Sequence, residues 1–565
     1  MGIASVSDLP AAGPGGAPPG SVSHLLERLD AEQRAAATLP DGPAQIIAPA
    51  GSGKTTTLIA RLGVLLERGV AAERIGVVTF NREAAGELSA RIASRLAPLL
   101  PGATGIEVRT LHALARQVLL DVGDPVHLLA DRLPLLRAAR RRVLAGRSPD
   151  EAPVPEAAAL DTHLSAWKVE GRPPPDAARA ALNAFKTLME ARGALDFDDL
   201  VVRAVELLEG DAPLRQRWQA RFSHLCVDEF QDVDAAQLRL VRVLAEPEQN
   251  LFVVGDDDQT IYAWRLADVR RILGFAVAYP AARRVQLATN YRCPPTVVAA
   301  SRRLIEVNLE RFDKRIEASP RRSGEDGAVV MLAAVEPDWP DRVAALAGSE
   351  AAAGSGCCIL ARTRAELTPI ALALLRAGHP HATTLATPLE SVPVRALVDA
   401  ARTMPGADPP FPMLLRLRAL RGWRRADGDD ALGDDDHAAI DALLGWAAAF
   451  ARLDRFLAAG DEMRARMTAL RDPDALIELV TVHGAKGREW PTVVVIGFEE
   501  ERFPNRRALL GAADPRRALE EERRLAYVAL TRATHRLVLA FDPARPSRFL
   551  EEMGYSPTSG ATAVR

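Results

Sequence analysis

The stretch "IIAPAGSGKTTTL" (46–58) decides the fold class, because it reads as an apolar strand, a loop of small residues and the start of a helix. Small residues allow backbone N–H groups to curl around phosphate oxygens, and the first helical turn adds positive partial charge. Lys54 is placed to reach the β- and γ-phosphates, and the Thr55 hydroxyl to ligate magnesium. The pattern predicts a P-loop; a glycine-rich turn with a chance lysine is the alternative. The expected nucleotide-binding residues of this loop are Ala48, Pro49, Ala50, Gly51, Ser52, Gly53, Lys54, Thr55 and Thr56.

A second part of the same site is indicated by the acidic end of the apolar run in "LCVDEFQDVD" (225–234). A magnesium ion at Thr55 needs a carboxylate from the tip of a nearby strand, and Asp228 fits that position. Glu229, one residue further on, is then placed to orient and deprotonate an attacking water. An acidic strand end that only caps a helix is the alternative, and the P-loop in the same chain argues against it.

Short apolar runs alternate with amphipathic helical segments along most of the 565 residues. Runs of this length between helices are typical of parallel strands covered on both faces, which predicts an α/β fold. The predicted strands are 44–50, 75–80, 224–230, 250–256, 357–363, 476–483 and 492–498. Two Arg- and Ala-rich regions, about 118–190 and 381–471, break the alternation and are predicted to be helical insertions. The acidic loop at 427–436 is interpreted as a solvated linker.

The composition sets few limits on partners. A formal net charge of -3 argues neither for nor against nucleic acid, because a basic groove can lie on a neutral protein. Four cysteines without a CxxC pair argue against zinc, iron–sulfur clusters and a disulfide framework, and favour small core residues in a reducing cytoplasm. Residues 1–22 lack the features of an export signal and are predicted to be a disordered tail. No apolar run is long enough for a membrane span.

The segment "VVGDDDQTIYAWR" (253–265) indicates what kind of nucleotide enzyme this is. Gln259, beside acids at the end of an apolar strand, is placed to sense a γ-phosphate. Tyr262 and Trp264 are aromatic side chains of the kind that stack on bases without sequence preference. In isolation these aromatics would more often belong to a core. Because the chain has only five Tyr and seven Trp, their joint position here favours a functional use.

Two arginines lie beyond the first α/β portion, Arg292 in "LATNYRC" (287–293) and Arg532 in "RRLAYVALTRATH" (523–535). Each could reach a γ-phosphate across a cleft in the manner of an arginine finger. Considered alone, either is most simply a surface residue in a chain rich in Arg.

Taken together and in order, these segments resemble the motifs of UvrD/Rep-type superfamily 1 DNA helicases, and the resemblance covers most of the chain. The matching segments are "LDAEQRAA" (29–36), "APAGSGKT" (48–55), "VVTFNREAAGEL" (77–88), "RTLHALA" (109–115), "LDFDDLV" (195–201), "VDEFQD" (227–232), "GDDDQTIYAWR" (255–265), "NYRC" (290–293), "TVHGAKGREW" (481–490) and "EERRLAYVALTRAT" (521–534). This many motifs in the family's order indicate the family far more specifically than a P-loop alone.

The resemblance implies two RecA-like P-loop NTPase domains with helical insertions, ATP and magnesium between the domains, and single-stranded DNA across their tops. It places Gln33 and Tyr291 on the adenine and Glu489 on the ribose. The implied catalytic residues are Lys54, Glu229, Gln259, Arg292 and Arg532. The implied DNA contacts are Phe80, Asn81, His112, Tyr262, Trp264 and His483. The expected domains are 23–117 with 191–293, an insertion at 118–190, 294–380 with 472–553, an insertion at 381–471, and a tail at 554–565.

The chain departs from the family pattern at Thr56, where Arg is common, and at Trp490, where Phe is usual. Its second insertion is also much shorter than is typical. Translocation is therefore still expected, whereas processive unwinding is not assured. We therefore expect an ATP-dependent helicase on single-stranded DNA and its junctions with duplex, moving 3′ to 5′ by resemblance. The alternatives are a translocase that displaces proteins, a P-loop small-molecule kinase, and a binding-only relative. The kinase leaves the ordered motifs unexplained, and the last is disfavoured because each matching catalytic position holds a competent residue.

Overall fold

The computed structural model describes residues 22–146, 152–322, 329–335, 338–384, 390–423, 432 and 434–555. The predicted disordered tail up to residue 21, most of the acidic loop at 427–436 and the tail beyond 555 lie outside these residues. None of the described helices combines the length and the apolar character needed to cross a bilayer.

Two parallel six-stranded sheets form the framework. The first has the order β3-β2-β6-β7-β1-β8, and the second has the order β11-β16-β15-β12-β14-β13. The strands of the first sheet are β1 (Ala44–Ile47), β2 (Ile75–Thr79), β3 (Glu107–Thr110), β6 (His224–Val227), β7 (Leu251–Gly255) and β8 (Arg283–Gln286). Those of the second are β11 (Val329–Ala333), β12 (Cys357–Ala361), β13 (Ala382–Thr383), β14 (Ile477–Thr481), β15 (Trp490–Val495) and β16 (Ala533–Phe541). Two short pairs, β4 (His127–Leu128) with β5 (Ala194–Leu195) and β9 (Thr289–Asn290) with β10 (Glu317–Ala318), complete the strands of the described residues.

Helices cover both faces of each sheet, and the strands that are buried along their whole length are β1, β2, β6, β7 and β12. We call the first sheet with its covering helices the first lobe, and the second sheet with its helices the second lobe. The helices associated with the first lobe and its insertion are α1 (Val22–Glu27), α2 (Ala31–Ala37), α3 (Lys54–Glu67), α4 (Arg82–Arg91), α5 (Leu111–Asp121), α6 (Leu133–Leu144), α7 (Ala157–Glu170), α8 (Asp176–Glu190), α9 (Phe197–Gly210), α10 (Ala212–Arg221), α11 (Ala235–Ala245), α12 (Val269–Leu273) and α13 (Phe275–Ala278). Those that follow are α14 (Pro295–Ile305), α15 (Trp339–Ala352), α16 (Arg364–Ala377), α17 (Val392–Arg402), α18 (Pro410–Leu420), α19 (Asp434–Ala447), α20 (Leu453–Leu470), α21 (Arg506–Leu510), α22 (Pro515–Leu530) and α23 (Arg548–Glu552).

The prediction of an α/β fold is confirmed, and each of the seven predicted apolar runs overlaps a parallel strand, although β15 begins two residues before the predicted run at 492–498. Some strands were not predicted. β3 and β8 are the two edges of the first sheet, where solvent allows the charged sequences "EVRT" and "RRVQ". β16 begins at Ala533 and continues with the polar residues Thr534, His535 and Arg536, so its first half lacks the apolar pattern from which a buried strand is predicted.

The two regions predicted to be insertions are mainly helical among the described residues, and each has a small core cluster. Each also contains residues that pair as strands. His127 and Leu128 form β4 within the first predicted insertion, and Ala382 and Thr383 form β13 at the edge of the second sheet. The first insertion is held to the first lobe by Arg132, whose guanidinium donates to Asp196 and Asp198, both at 2.7 Å.

Candidate nucleotide site and nucleic-acid interface

The candidate site lies at the carboxyl ends of neighbouring strands in the first sheet. β1 leads into the loop at 48–53, β6 leads into Asp228, and β7 leads into Asp256. In open parallel sheets this edge is where ligands bind, because helix N-termini and loop side chains converge there. The acids follow the strands directly because charged side chains are unfavourable within a buried strand.

The P-loop uses two glycines in left-handed conformations, Gly51 at φ 71° and Gly53 at φ 79°. A Cβ atom on Gly51 would lie 2.6 Å from Oδ1 of Asn290 and 2.8 Å from Cβ of Arg292. Glycine is therefore required for the turn and also for the close approach of the segment "NYRC". Lys54 begins α3 directly after this turn, as the pattern predicted.

Two polar groups of the loop fit a bound phosphate. The Ser52 hydroxyl is buried and finds no hydrogen-bond partner among the described residues. The Lys54 ammonium donates to the Ala48 carbonyl oxygen at 2.9 Å, and burial lowers the pKa of Lys54 although Glu229 and Asp256 raise it. Phosphate oxygens would supply an acceptor for the Ser52 hydroxyl and further acceptors for the remaining N–H groups of Lys54.

The neighbouring acids Asp228 and Glu229 differ in their electrostatics. Burial, and then the charge of Glu229, raise the pKa of Asp228 to about 7. Burial acts in the same direction on Glu229, but Lys54 and Lys486 outweigh it and hold the pKa of Glu229 below its usual value. Glu229 is thus the charged member. Asp228 and the Thr55 hydroxyl offer the oxygen ligands that magnesium prefers, and a bound cation would stabilise the ionised form of Asp228.

Arg532, from the second lobe, reaches the first lobe. Its Nη2 donates to Oε1 of Gln259 at 3.2 Å, and Nε2 of Gln259 donates to Asp256 at 2.7 Å. The other acceptors of Arg532 are the neutral oxygens of Val528, Arg488 and Thr531. Burial, and next the charge of Arg292, lower the pKa of Arg532 to about 10.

No carboxylate among the described residues lies within ion-pair distance of Arg532. A buried guanidinium with only neutral partners is unfavourable unless an anion joins it, so the surroundings of Arg532 favour an anionic ligand. Arg292 lies on the same side and donates to the Glu489 carboxylate and to the Thr531 carbonyl oxygen, the latter at 3.4 Å. Arg292 therefore has a protein anion as its present partner, whereas Arg532 does not.

The residues expected around the adenine and ribose are close to the P-loop. The Gln33 side chain donates to the Ser52 carbonyl oxygen at 2.9 Å and accepts from the Asp30 backbone N–H. The Tyr291 hydroxyl donates to Asp30 at 2.6 Å. Thr56 is exposed on the first turn of α3. Gln33 and Tyr291 therefore both hydrogen-bond to Asp30, and Gln33 also bonds the P-loop.

An aromatic cluster bridges the two lobes. Phe80 and Tyr262 stack with ring centroids 4.7 Å apart and an interplanar angle of 19°. Trp264 and His483 both lie near Tyr262, at 6.3 and 6.4 Å between centroids, and the Trp264 side chain is 58% exposed. Exposed and half-buried rings in this arrangement can stack on unpaired bases. Four of the six residues expected to contact DNA are thus brought together.

The other two expected DNA contacts are placed differently. The Asn81 side chain caps α4 by accepting from the Ala84 N–H at 2.7 Å, so part of its hydrogen-bonding capacity serves the fold. His112 makes an edge-on contact with Phe197 at 5.6 Å. Phe197 is 41% exposed, and the sequence reasoning missed it although it lies inside the quoted motif "LDFDDLV".

Lys486 is the main residue that the sequence reasoning did not assign. Its ammonium, on the second lobe, bonds the Asp232 carboxylate and donates to the Gln259 carbonyl oxygen at 2.7 Å. It also lies 4.0 Å from Glu229 and 5.2 Å from the Tyr262 ring centroid. Lys486 therefore links the acids, Gln259 and the aromatic cluster. One signal was available, because the chain has very few lysines and this one lies in a quoted motif.

The fold and site define a class: two RecA-like lobes with a P-loop, an acidic strand end and a buried arginine from the opposite lobe. Comparison with known proteins supports the same class. The family model of the UvrD/REP helicase N-terminal domain matches residues 29–280, and that of the UvrD-like helicase C-terminal domain matches residues 461–542.

Individual proteins match over nearly the whole chain. The ATP-dependent DNA helicase UvrD2 of Mycobacterium bovis is 31% identical over 96% of this chain and 83% of its own length. The ATP-dependent DNA helicase PcrA of Leuconostoc citreum is 29% identical over 94% of this chain and 86% of its own. DNA helicase II of Escherichia coli is 28% identical, with coverages of 94% and 88%. The chain belongs to the UvrD/Rep-type helicase family.

Proposed function

We propose that this protein is an ATP-driven motor that moves along single-stranded DNA and separates duplex at its junctions with single strands. The observation that carries the proposal is the contact of Arg532 with Gln259 above the P-loop. It gives a nucleotide partners in both lobes, so that binding and splitting ATP changes how the lobes meet.

The nucleotide chemistry follows from the groups at the cleft. The P-loop N–H groups and Lys54 hold the phosphates, and Thr55 with Asp228 hold a magnesium ion, which neutralises phosphate charge when bound. Glu229 remains ionised beside Lys54 and accepts a proton from the attacking water. Arg292 and Arg532 stabilise charge on the transferred phosphoryl group. Gln33 and Tyr291 contact the adenine, and Glu489 the ribose.

Single-stranded DNA crosses the aromatic cluster of Phe80, Tyr262, Trp264 and His483, with Asn81 and His112 at the first-lobe side. Stacking on rings carries no sequence preference, which suits a motor that must step along any sequence. Phe80 and Tyr262 stack on each other, so together they offer one continuous aromatic surface for a base.

Direction and biological setting are further parts of the proposal. We infer movement 3′ to 5′ from the family resemblance, and a role in DNA repair, replication restart or recombination in the cytoplasm. The relatives named above as DNA helicases support DNA rather than RNA as the substrate.

The test is ATP hydrolysis with and without single-stranded DNA, run beside unwinding of a fluorescent duplex that carries a 3′ tail. The proposal expects stimulation by DNA, and unwinding that requires the tail and ATP. Equal hydrolysis with and without single-stranded DNA would remove the motor interpretation. A duplex with a 5′ tail is the control for direction.

A second candidate is a translocase that displaces proteins from DNA without separating strands. The observation that favours it is the small second insertion, whose described residues form the short edge strand β13 and helices α17 to α20 around one core cluster. DNA-stimulated hydrolysis together with displacement of a bound protein, but without unwinding of either tailed duplex, would select this candidate.

A further inference from the structure

Lys314 is a fully buried lysine that the proposed nucleotide chemistry does not use. Its side chain is 1% exposed, and its ammonium lies 2.6 Å from Asp256 and 3.0 Å from Asp258. It also contacts Asp257. Burial alone would lower the pKa of Lys314, but the three aspartates together raise it above its usual value. A buried ammonium is costly unless carboxylates pair with it, and three aspartates do so here.

The contact continues from Lys314 to the candidate catalytic groups. One oxygen of Asp256 accepts from Lys314 at 2.6 Å, and the other accepts from Nε2 of Gln259 at 2.7 Å. Oε1 of the same Gln259 then accepts from Arg532 at 3.2 Å. The amide of Gln259 is thereby held with its nitrogen toward Asp256 and its oxygen toward Arg532. Without the Lys314 ammonium, Asp256 would keep only the weaker hydrogen bond from the Asp258 N–H on that oxygen, and the side chain of Gln259 would be held less firmly.

Residues 308–315, which contain Lys314, are also tied to the second lobe. The Glu520 carboxylate on α22 accepts from the backbone N–H groups of Leu309 and Glu310, at 3.0 and 3.1 Å. Arg524 on the same helix donates to the Glu310 carbonyl oxygen at 2.7 Å. Helix α22 ends at Leu530, two residues before Arg532.

The other end of this segment is tied to the first lobe. Arg311 donates two hydrogen bonds to Asp258, at 3.0 and 2.9 Å, and the Phe312 N–H donates to Asp257 at 2.8 Å. Asp258 directly precedes Gln259. One segment of eight residues therefore fixes both the helix that presents Arg532 and the acids that present Gln259.

We propose that residues 308–315 form a strap between the lobes and that Lys314 is a positioning residue for ATP hydrolysis, acting through Asp256 on Gln259. The strap fixes the position of Arg532 relative to Gln259, so that a movement of α22 also moves Gln259. This inference rests on the proposed ATPase function and adds to it a residue outside the motifs quoted above.

The test measures DNA-stimulated ATP turnover of the full chain for Lys314→Met, Gln259→Ala and the double variant. We expect Lys314→Met to lower kcat by about 10- to 100-fold with the KM for ATP nearly unchanged, because a displaced positioning group acts on the reacting geometry. On the Gln259→Ala background the same substitution should have little further effect on kcat, since its target is already absent. Lys186→Met, at an exposed lysine on α8, is the matched control and should behave as the parent.

Two results would overturn the inference while leaving the ATPase intact. One is a parental kcat in Lys314→Met. The other is a full multiplicative loss in the double variant, which would mean that Lys314 acts on general stability and not through Gln259. A parent without DNA-stimulated hydrolysis would instead refute the proposed function, and the inference with it.

If Lys314→Met gives no soluble protein, Arg311→Met carries the test, because Lys314 still neutralises the three aspartates there. Arg311→Met should lower kcat by about 3- to 10-fold at an unchanged KM for ATP. On the Gln259→Ala background it should not lower kcat further. A parental kcat for Arg311→Met would equally contradict the strap.

Discussion

The guanidinium of Arg532 donates a hydrogen bond of 3.2 Å to the side-chain oxygen of Gln259, although 273 residues separate the two in sequence. One residue belongs to the second lobe and the other to the first, so the contact joins the two lobes. Because the buried Arg532 guanidinium has only neutral acceptors around it, its surroundings favour an anion. The γ-phosphate of a nucleotide is the anion that the P-loop would deliver there.

Replacing Arg532 by Ala should therefore impair turnover much more than nucleotide binding. Arginine fingers are worth about 10³- to 10⁵-fold in kcat, and we expect a loss at the lower end, because Arg292 remains. Steady-state kinetics and binding of a fluorescent ATP analogue separate the two effects. Arg536→Ala, on β16 and paired with Glu350, is the control and should retain parental turnover. Equal losses in binding and turnover would contradict a transition-state role for Arg532.

Glu229→Gln should leave ATP binding intact and reduce hydrolysis by about 10²- to 10⁴-fold, the usual range for a general base. The substitution keeps the shape of the side chain and the contact with Gln231, but it removes the charge that Lys54 and Lys486 stabilise. Rapid-quench measurement of a single turnover tests this step directly. Hydrolysis at the parental rate would show that another group activates the water. Glu206→Gln, at an exposed position on α9, controls for the loss of one negative charge.

Tyr262→Ala should weaken binding to single-stranded DNA, because it removes the central ring of the aromatic cluster. Stacking is worth roughly 1–3 kcal/mol per base, so the expected loss in affinity is about 5- to 150-fold. Fluorescence anisotropy with an oligothymidine measures it. Phe411→Ala, at an exposed aromatic on α18, should leave the affinity unchanged. A Tyr262 variant with parental DNA affinity and normal DNA stimulation would place the strand elsewhere.

His483 should make the fold sensitive to acid. Burial, followed by the charges of Arg362 and Lys486, lowers the pKa of His483 to about 4 in the folded protein. Its unfolded value is near 6.5, so between pH 6.5 and 4 the unfolded chain binds the extra proton, and stability falls as the pH drops through that window.

We therefore expect the Tm of the parent to fall relative to that of His483→Asn between pH 7.5 and pH 5, because the variant cannot take up this proton. The difference corresponds to a free energy on the order of 1–2 kcal/mol. His127→Asn, at an exposed histidine, should follow the parent at both pH values. A constant offset between His483→Asn and the parent would show that His483 titrates normally in the folded state.

The local parts of this site could be predicted from sequence, because their chemistry depends on neighbours in the chain. The P-loop needs small residues before Lys54, and a magnesium ligand such as Asp228 needs a strand that ends in acid. These patterns are contiguous and rest on backbone geometry that residue type dictates. The aromatic pair Tyr262 and Trp264 was accessible for the same reason.

Contacts between distant segments could not be predicted in the same way. The bonds of Lys486 to Asp232 and of Lys314 to Asp256 depend on how two lobes pack, and one sequence carries no record of that packing. The edge strand β3 is not predicted because its side chains are only half-buried, and a half-buried edge requires no continuous apolar pattern.

The central claim is that nucleotide is held by both lobes and changes their relation when it is split. Pulsed electron paramagnetic resonance can test this with spin labels on Val277→Cys of the first lobe and Leu510→Cys of the second, both highly exposed. The four native cysteines are buried, which favours selective labelling.

With single-stranded DNA bound, we expect one distance distribution with a non-hydrolysable ATP analogue and magnesium, and a shifted distribution with ADP or without nucleotide. Lys54→Ala should abolish the shift. Identical distributions in all three states, in a protein that hydrolyses ATP, would contradict the claim.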